Sequence, residues 1–308
     1  MDYSIIVPLY NEEEVISECH RQLCEVMADC GGSYELIYVN DGSRDKTMVL
    51  AREIAARDNH VKIISFSRNF GHQTAITAGM DLASGKAVVV IDADLQDPPR
   101  VILEMIAKWK EGYEVVYGKR TKRKGESVFK KVSAKVFYRT LNSMTDVDIP
   151  VDTGDFRLLD RKVIDALKKL PERNRYVRGL VSWVGFRQAA VEYVREERFA
   201  GETKYPLRKM LKFASDALTS FSHKPLKIST YLGILLSAAS LIFLLVMLIL
   251  ALVNGSAVAG WVIVSSISLF FNGVVLIMLG LIGQYIARIY DEVKARPLYI
   301  IGETVGFD

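Results

Sequence analysis

Cysteine is scarce in these 308 residues: there are three, Cys19, Cys24 and Cys30, an odd number whose spacing matches no zinc or redox pattern. A disulfide scaffold is thereby excluded, and reduced, structurally ordinary thiols in the cytosol are expected. Two common phosphate cradles are missing as well. No G-x-G-x-x-G follows the first strand-like run and no G-x-x-x-x-G-K-[ST] occurs, so dinucleotide redox chemistry and P-loop hydrolysis lose their usual grip. Net charge is slight: 40 Lys and Arg against 36 Asp and Glu give +4, which makes no case for nucleic acid. No secretory leader is expected, because Met1 opens a short apolar run that turns acidic at Glu12–Glu14.

Charge is absent altogether from Ile228 to Ala287. A bilayer crossing takes about 20 apolar residues, and this stretch holds two such runs, Tyr231–Val253 and Ala257–Ile286, broken by Asn254-Gly255-Ser256. A two-helix membrane hairpin over 228–289 is expected, in preference to a hairpin buried in a soluble core. Lys212, Lys224 and Lys227 precede it, and Arg288, Lys294 and Arg296 follow it. The positive-inside rule then puts the catalytic domain and both termini on the cytoplasmic side of the inner membrane. From Pro206 to Phe221, apolar residues recur at helical spacing beside Arg208, Lys209 and Lys212, the pattern of an interfacial amphipathic helix over 206–227. Residues 290–308 are left as a cytoplasmic tail. Small residues at Leu235–Ser240 and Gly280–Gly283 permit close helix contacts and hence a homo-oligomer.

Ahead of this lie residues enough for one large domain with a substantial core. Strand-like runs at Ser4–Pro8, Glu35–Asn40, Lys62–Ser67, Ala87–Ile91 and Glu114–Gly118 alternate with helical patterns near Glu13–Asp29, Lys46–Arg57, Gln73–Ala83 and Arg100–Lys110. Such alternation predicts an α/β fold with a mainly parallel sheet. Ligands bind beyond the carboxyl ends of such strands. The polar motifs PLYNEEE, VNDGSRD, SRNFGHQ, DADLQDPP and GKR all fall there.

Asp92-Ala93-Asp94 closes the run AVVVID, where two carboxylates can turn toward one Mg²⁺ or Mn²⁺ bound largely through substrate phosphates. The run Lys119–Lys131 is either a solvated loop or a site for an anionic headgroup. His72 is expected to be structural, with one neighbouring carboxylate at most; His20, His60 and His223 are expected at the surface or an interface.

In this order IIVPLYNEEE, YVNDGSRDKT, SFSRNFGHQTAITAGMDLASG, DADLQDPP, TGDFRLLDR, RFAGETKY and ARPLYIIGE are specific. The chain resembles the inverting glycosyltransferases of the GT-A (Rossmann-like) fold, in their polyprenyl-phosphate branch. That branch includes dolichol-phosphate mannose synthases and bacterial undecaprenyl-phosphate glucosyltransferases. The resemblance implies a catalytic domain over 1–205 and transfer of one sugar, by default glucose, from a UDP-sugar to undecaprenyl phosphate with inversion. It implies that Pro8, Tyr10, Glu12, Val39 and Asp41 hold the nucleotide, joined by Asp92, Ala93 and Asp94. Asp92, Asp94 and Gln96 would ligate the metal, and Arg198 and Lys204 would clamp the diphosphate. Arg120, Lys130 and Lys131 would meet the acceptor phosphate, though lysine replaces the arginine often found at the latter positions. Asp155 takes the place of a general base; because a phosphate monoester is already largely ionised at neutral pH, it is also read as orienting the sugar or holding a cation such as Arg157. Two rivals stand beside this reading. A processive polysaccharide synthase lacks support because no Q-x-x-R-W occurs, and a non-enzymatic membrane scaffold has no use for a metal site.

Overall fold

The computed structural model describes residues 1–123, 153–173, 175–196 and 260–307, with single positions at Ile242, Val246, Ile249 and Val253. The chain divides into two units. Met1–Asn142, Val147–Phe213 and Pro297–Asp308 make the first; Ser143–Asp146 and Ala214–Arg296 make the second.

The first unit is the expected α/β layer structure. Strands β1 (Tyr3–Leu9), β2 (Tyr34–Asn40), β3 (Val61–Phe66) and β4 (Ala87–Val90) alternate with helices α1 (Ile16–Cys30), α2 (Thr47–Ala55) and α3 (His72–Leu82). Helix α4 (Val101–Lys110) follows β4, and β5 (Val115–Arg123), β6 (Thr153–Asp160), α5 (Arg161–Lys168), α6 (Val177–Trp183) and β7 (Gln188–Arg195) complete it before β8 (Ile301–Val305). β1 and β4 are buried along their whole length, as strands covered by helices on both faces must be. α1 buries Ile16, Cys19, Leu23, Val26 and Met27, spaced to form one helical stripe.

The strand order is β7-β5-β6-β4-β1-β2-β3-β8. β3, β2, β1 and β4 run parallel. β6 enters antiparallel between β4 and β5, and β8 closes the far edge antiparallel to β3. Pro8 sits within central β1 without breaking a ladder, because pairing of β1 with β4 ends at Ile6 and Val90. β6, β7 and β8 were not among the expected strands; the first is a hydrophobic–polar mixture, TGDFRLLD, that tertiary burial makes into a central strand.

Within the second unit, α7 (Gly260–Lys294) is a single long helix. Among the described residues no helix is both long and apolar enough to cross a membrane. That overturns the expected hairpin over 228–289, and with it the multi-pass membrane placement with both ends cytoplasmic. The first expected span, Tyr231–Val253, falls almost wholly outside the described residues, as does the amphipathic segment Pro206–Phe221. Where the second was expected, the continuously described side chains of α7, from Met278 on, include Gln284, Arg288, Asp291, Glu292 and Lys294. The helix runs on through charges that the sequence reading placed beyond the span. Freedom from charge describes what a segment is made of; it does not say where its helix stops.

Candidate active site

The carboxyl ends of β1, β2, β3 and β4 share one edge of the sheet. Because β2 and β4 flank β1, successive connections leave in opposite directions there, which opens the crevice where α/β sheets hold ligands. Asp92, Ala93 and Asp94 follow β4 after one residue, Ile91. Pro8 lies near the end of β1, with Tyr10 and Glu12 just after it. β6 is antiparallel, with Arg157 opposite Val90, so its beginning reaches the same edge and sets Asp155 beside Asp92.

The turn after β4 is shaped by Leu95, which adopts a left-handed φ of 57°, a conformation costly for a branched side chain. Asp92, Asp94 and Gln96 are half-buried, alternating with buried Ala93, Leu95 and Asp97. The backbone N–H of Gln96 donates to Asp94 Oδ1 at 3.2 Å. Asp92 Oδ1 is buried without a hydrogen bond. Burial, eased by His72 and reinforced by Asp155, pushes the Asp92 carboxyl up to about 6.

His72 stands between two carboxylates. Its Nε2 lies 3.4 Å from Asp92 Oδ1 and 3.4 Å from Asp155 Oδ2. Burial opposes the imidazolium, but the two carboxylates outweigh it and hold the ring's pKa up at about 9. This is the residue that sequence reasoning undervalued, since β6 had not been recognised as the source of the second carboxylate. Its position is prepared upstream. Asp41, buried after β2, accepts from the Phe70 N–H at 2.6 Å and from the Gly71 N–H at 3.0 Å. Burial raises the Asp41 pKa despite these donors. Gly42, at φ 67°, lets the Arg68–Asn69 backbone approach so closely that a Cβ would stand 2.6 Å from it. The loop therefore delivers His72, the first residue of α3, into the crevice.

Asp155 is deeply engaged. Arg178, from α6, donates through Nε to Oδ1 at 2.8 Å and through Nη2 to Oδ2 at 3.1 Å, and Gln73 Nε2 donates to Oδ2 at 3.0 Å. Burial opposes ionisation here too, yet the Arg178 charge prevails and holds the carboxyl well below the usual range. The cation held by Asp155 is thus Arg178, where the sequence suggested Arg157. Arg157 is buried, with Nη2 donating to the Gly154 carbonyl at 3.0 Å and Nε unpaired; burial brings it down to about 10. Gln73 also accepts from the Val177 N–H through Oε1 at 3.0 Å, tying α3 to the start of α6. Nothing in the spacing of Gln73, Asp155 and Arg178 signalled this network.

The other expected residues are placed as follows. Val39 is fully buried within β2, so only its backbone faces a ligand edge, whereas Tyr10 is 37% exposed. The Glu12 N–H donates to Thr47 Oγ1 at 2.8 Å, fixing the chain as it leaves β1. Gln96 Oε1 accepts from Arg195 Nη2 at 2.7 Å, and its carbonyl accepts from the Glu196 N–H. Arg120, expected at the acceptor phosphate, places Nη2 3.1 Å from Asp97 Oδ2 and donates through Nε to the Tyr193 hydroxyl. Its charge is spent on buried Asp97, which also accepts from Tyr193. Lys130, Lys131, Arg198 and Lys204 lie outside the described residues.

Comparison with known proteins matches residues 4–168 to the model for glycosyl transferase family 2. Over its whole length the chain is 61% identical to the uncharacterized glycosyltransferase YkcC of Bacillus subtilis (strain 168), covering 95% of that protein. It is 42% identical to the SfII prophage-derived bactoprenol glucosyl transferase of Shigella flexneri, over 99% of this chain and 98% of that one. With the prophage bactoprenol glucosyl transferase homolog of Escherichia coli (strain K12) the identity is 40%, over 98% of each. Among solved structures, glucosyl-3-phosphoglycerate synthase from Mycobacterium tuberculosis aligns with 70% of this chain and 75% of its own, at 21% identity and a TM-score of 0.48, a likeness too slight to bear on the chemistry. The family match spans β1 to α5, the stretch that builds both sides of the crevice, and the full-length relatives extend the likeness to the rest. The chain belongs to glycosyl transferase family 2.

Proposed function

We propose that this glycosyltransferase moves one glucosyl residue from UDP-glucose to a polyprenyl phosphate, with inversion at the anomeric carbon. Glucose and the acceptor are supported by the relatives named bactoprenol glucosyl transferase, at 40–42% identity over nearly the whole chain. The observation that carries the chemistry is the orphaned buried Oδ1 of Asp92 beside His72 and Asp155, at the crevice between β1 and β4.

An acceptor atom left without a hydrogen bond fits a divalent cation, Mg²⁺ or Mn²⁺, held by Asp92 and Asp94. Gln96 joins them only by releasing Arg195. When bound, the cation neutralises charge on the departing diphosphate. Pro8, Tyr10, Glu12, Val39 and Asp41 form the nucleotide end of the crevice, Pro8 and Val39 through backbone and shape, with Ala93 beside the ribose. Asp41 does this while anchoring the loop of Phe70 and Gly71. Arg198 and Lys204 close on the diphosphate, a role that charge-assisted contacts suit.

On the acceptor side, Arg178 keeps Asp155 ionised and therefore a weak base. A phosphate monoester with its second pKa near 6 needs little proton removal at neutral pH. Asp155 accordingly positions the sugar and His72 rather than abstracting a proton, and the lipid phosphate oxygen attacks the anomeric carbon as the carbon–oxygen bond to UDP breaks. The His72 imidazolium keeps one positive charge between the two carboxylates.

The test incubates purified protein with radiolabelled UDP-glucose, UDP-N-acetylglucosamine or UDP-galactose and undecaprenyl phosphate in detergent, with Mg²⁺, with Mn²⁺ or with chelator. A β-linked glucosyl lipid formed only with metal is the expected product. An α-linked product removes inversion, and full activity in chelator removes the cation.

A further inference from the structure

Beside the paired carboxylates of the crevice, two guanidiniums converge on one further carboxylate. Arg195 is the last residue of β7. β7 runs parallel to β5, and β6 is antiparallel to both β5 and β4, so Arg195 arrives at the same sheet edge as the turn from Asp92 to Gln96. The backbone is fixed there, since the Glu196 N–H donates to the Gln96 carbonyl at 3.0 Å. The side chain is far less committed. Among the described residues its guanidinium makes one hydrogen bond, from Nη2 to Gln96 Oε1 at 2.7 Å, and Nε is buried with no acceptor.

Asp97 does not satisfy it. That carboxylate is 2% exposed and accepts from Arg120 Nη2 at 3.1 Å and from the Tyr193 hydroxyl. Arg195 Nε stands 3.9 Å from Asp97 Oδ1, past hydrogen-bond reach. Asp94 also lies within range of the Arg195 charge, which puts the guanidinium beside the metal carboxylates as well as beside Gln96. Once Asp94 serves a divalent cation, that compensation is gone. A neutral amide cannot replace it, and a half-buried cation without a counter-ion is costly. Of the two guanidiniums, Arg195 is the one a ligand can reach: 28% of its side chain is exposed, against 12% for Arg120.

Resting on the function proposed above, we infer that Arg195 grips a phosphate group in the crevice, exchanging its bond to Gln96 for it. Gln96 Oε1 cannot accept from Arg195 and ligate a cation at the same time without bringing two positive charges to one oxygen. When Gln96 turns to the cation, the guanidinium is released, and a phosphate in the crevice offers oxygens to Nε and Nη2 together. The planar fork of arginine suits that acceptor bidentately. Two groups carry this chemistry, the diphosphate of the UDP-sugar and the phosphate of the polyprenyl acceptor. Arg195 thereby supplies the positive charge that Arg120, spent on Asp97, does not. Its place in the sequence gave no sign of this, because β7 was not among the expected strands.

The experiment measures UDP and uridine binding to the full-length protein by calorimetry, with and without Mn²⁺, for wild type, Arg195→Met and Arg195→Lys. A grip on the donor makes Arg195→Met bind UDP about 10–100-fold more weakly in Mn²⁺, the usual weight of hydrogen bonds to a charged group. Uridine binding is then unchanged, and Arg195→Lys falls between the other two for UDP. A grip on the acceptor instead leaves UDP binding unchanged and raises the KM for undecaprenyl phosphate by a similar factor, at constant KM for UDP-glucose. In both cases Mn²⁺ alone, followed by electron paramagnetic resonance, binds Arg195→Met at least as tightly as wild type, because Gln96 is no longer held away. In the wild-type chain, with no variant needed, UDP with Mn²⁺ or the lipid phosphate shields Arg195 from phenylglyoxal, as peptide mapping reads. UDP and uridine weakened alike, weaker Mn²⁺ binding, UDP and lipid constants both unchanged, or no shielding by either ligand each overturns the role of Arg195. A wild type that binds no UDP and transfers no glucose strikes the proposed function itself, and the inference falls with it.

Discussion

Arg178 grips Asp155 with two arms of its guanidinium, Nε to Oδ1 at 2.8 Å and Nη2 to Oδ2 at 3.1 Å, while Nη1 donates to the Thr153 carbonyl at 3.2 Å. The pair is largely removed from water, with 18% and 7% of the two side chains exposed. A carboxylate so held is a fixed negative charge. What it controls is geometry: His72 on one side, Gln73 on another, and through Gln73 the first turn of α6.

Replacing Arg178 with Met leaves that carboxylate buried and without its counter-ion. Breaking one side of a buried pair typically costs about 3–5 kcal/mol, and urea unfolding of Arg178→Met should show a loss of that size. Adding Asp155→Asn to the same chain should recover a large part of it. A single-variant loss within the error of the measurement would mean that the pair contributes nothing net.

The His72 pair gives stability a pH dependence of known sign. Its folded pKa of about 9 exceeds the ordinary value of about 6.5, so its contribution is complete below about 6.5 and disappears as pH rises through about 9. Asp92, raised to about 6, titrates mostly below that window and shifts stability with the same sign. Urea midpoints of the wild type should therefore decline across this interval, and those of His72→Gln should decline less. Parallel curves for the two proteins would contradict the placement of the imidazole between Asp92 and Asp155.

Asp94→Asn should remove transfer while leaving circular dichroism and the unfolding midpoint close to wild type. Losing a group that stabilises transition-state charge typically lowers turnover about 10²–10³-fold. Calorimetry should show weaker UDP binding in the presence of Mn²⁺ but little change in its absence. Substantial turnover by this variant in chelator would remove the carboxylate from the metal assignment.

Gly42→Ala tests the loop that carries His72. A left-handed φ costs a non-glycine residue roughly 1–2 kcal/mol, and the new methyl would meet the Arg68 and Asn69 backbone at 2.6 Å. Overpacking of that kind adds about 1–3 kcal/mol. Lower stability with weaker UDP binding is expected, since the displaced loop is the one Asp41 holds. Unchanged UDP affinity in a destabilised variant would separate the loop from the nucleotide end of the crevice.

The sequence by itself determined the alternating strands and helices as far as β5, because apolar periodicity and polar strand ends are local properties. It placed Asp92 and Asp94 at a strand end for the same reason, and the ordered motifs were enough to indicate the family. The tertiary structure decided whatever depends on pairing between distant segments. TGDFRLLD became a buried antiparallel strand because β4 and β5 offered it two unsatisfied ladders, and this carried Asp155 to Asp92. Arg120 was turned to Asp97 because a buried carboxylate demands a partner. The charge-free segment from Ile228 showed composition without end points, and the described part of α7 continues through Arg288, Asp291 and Glu292. Spacing along a chain reports which side chains share a face; only packing brings together faces from different elements.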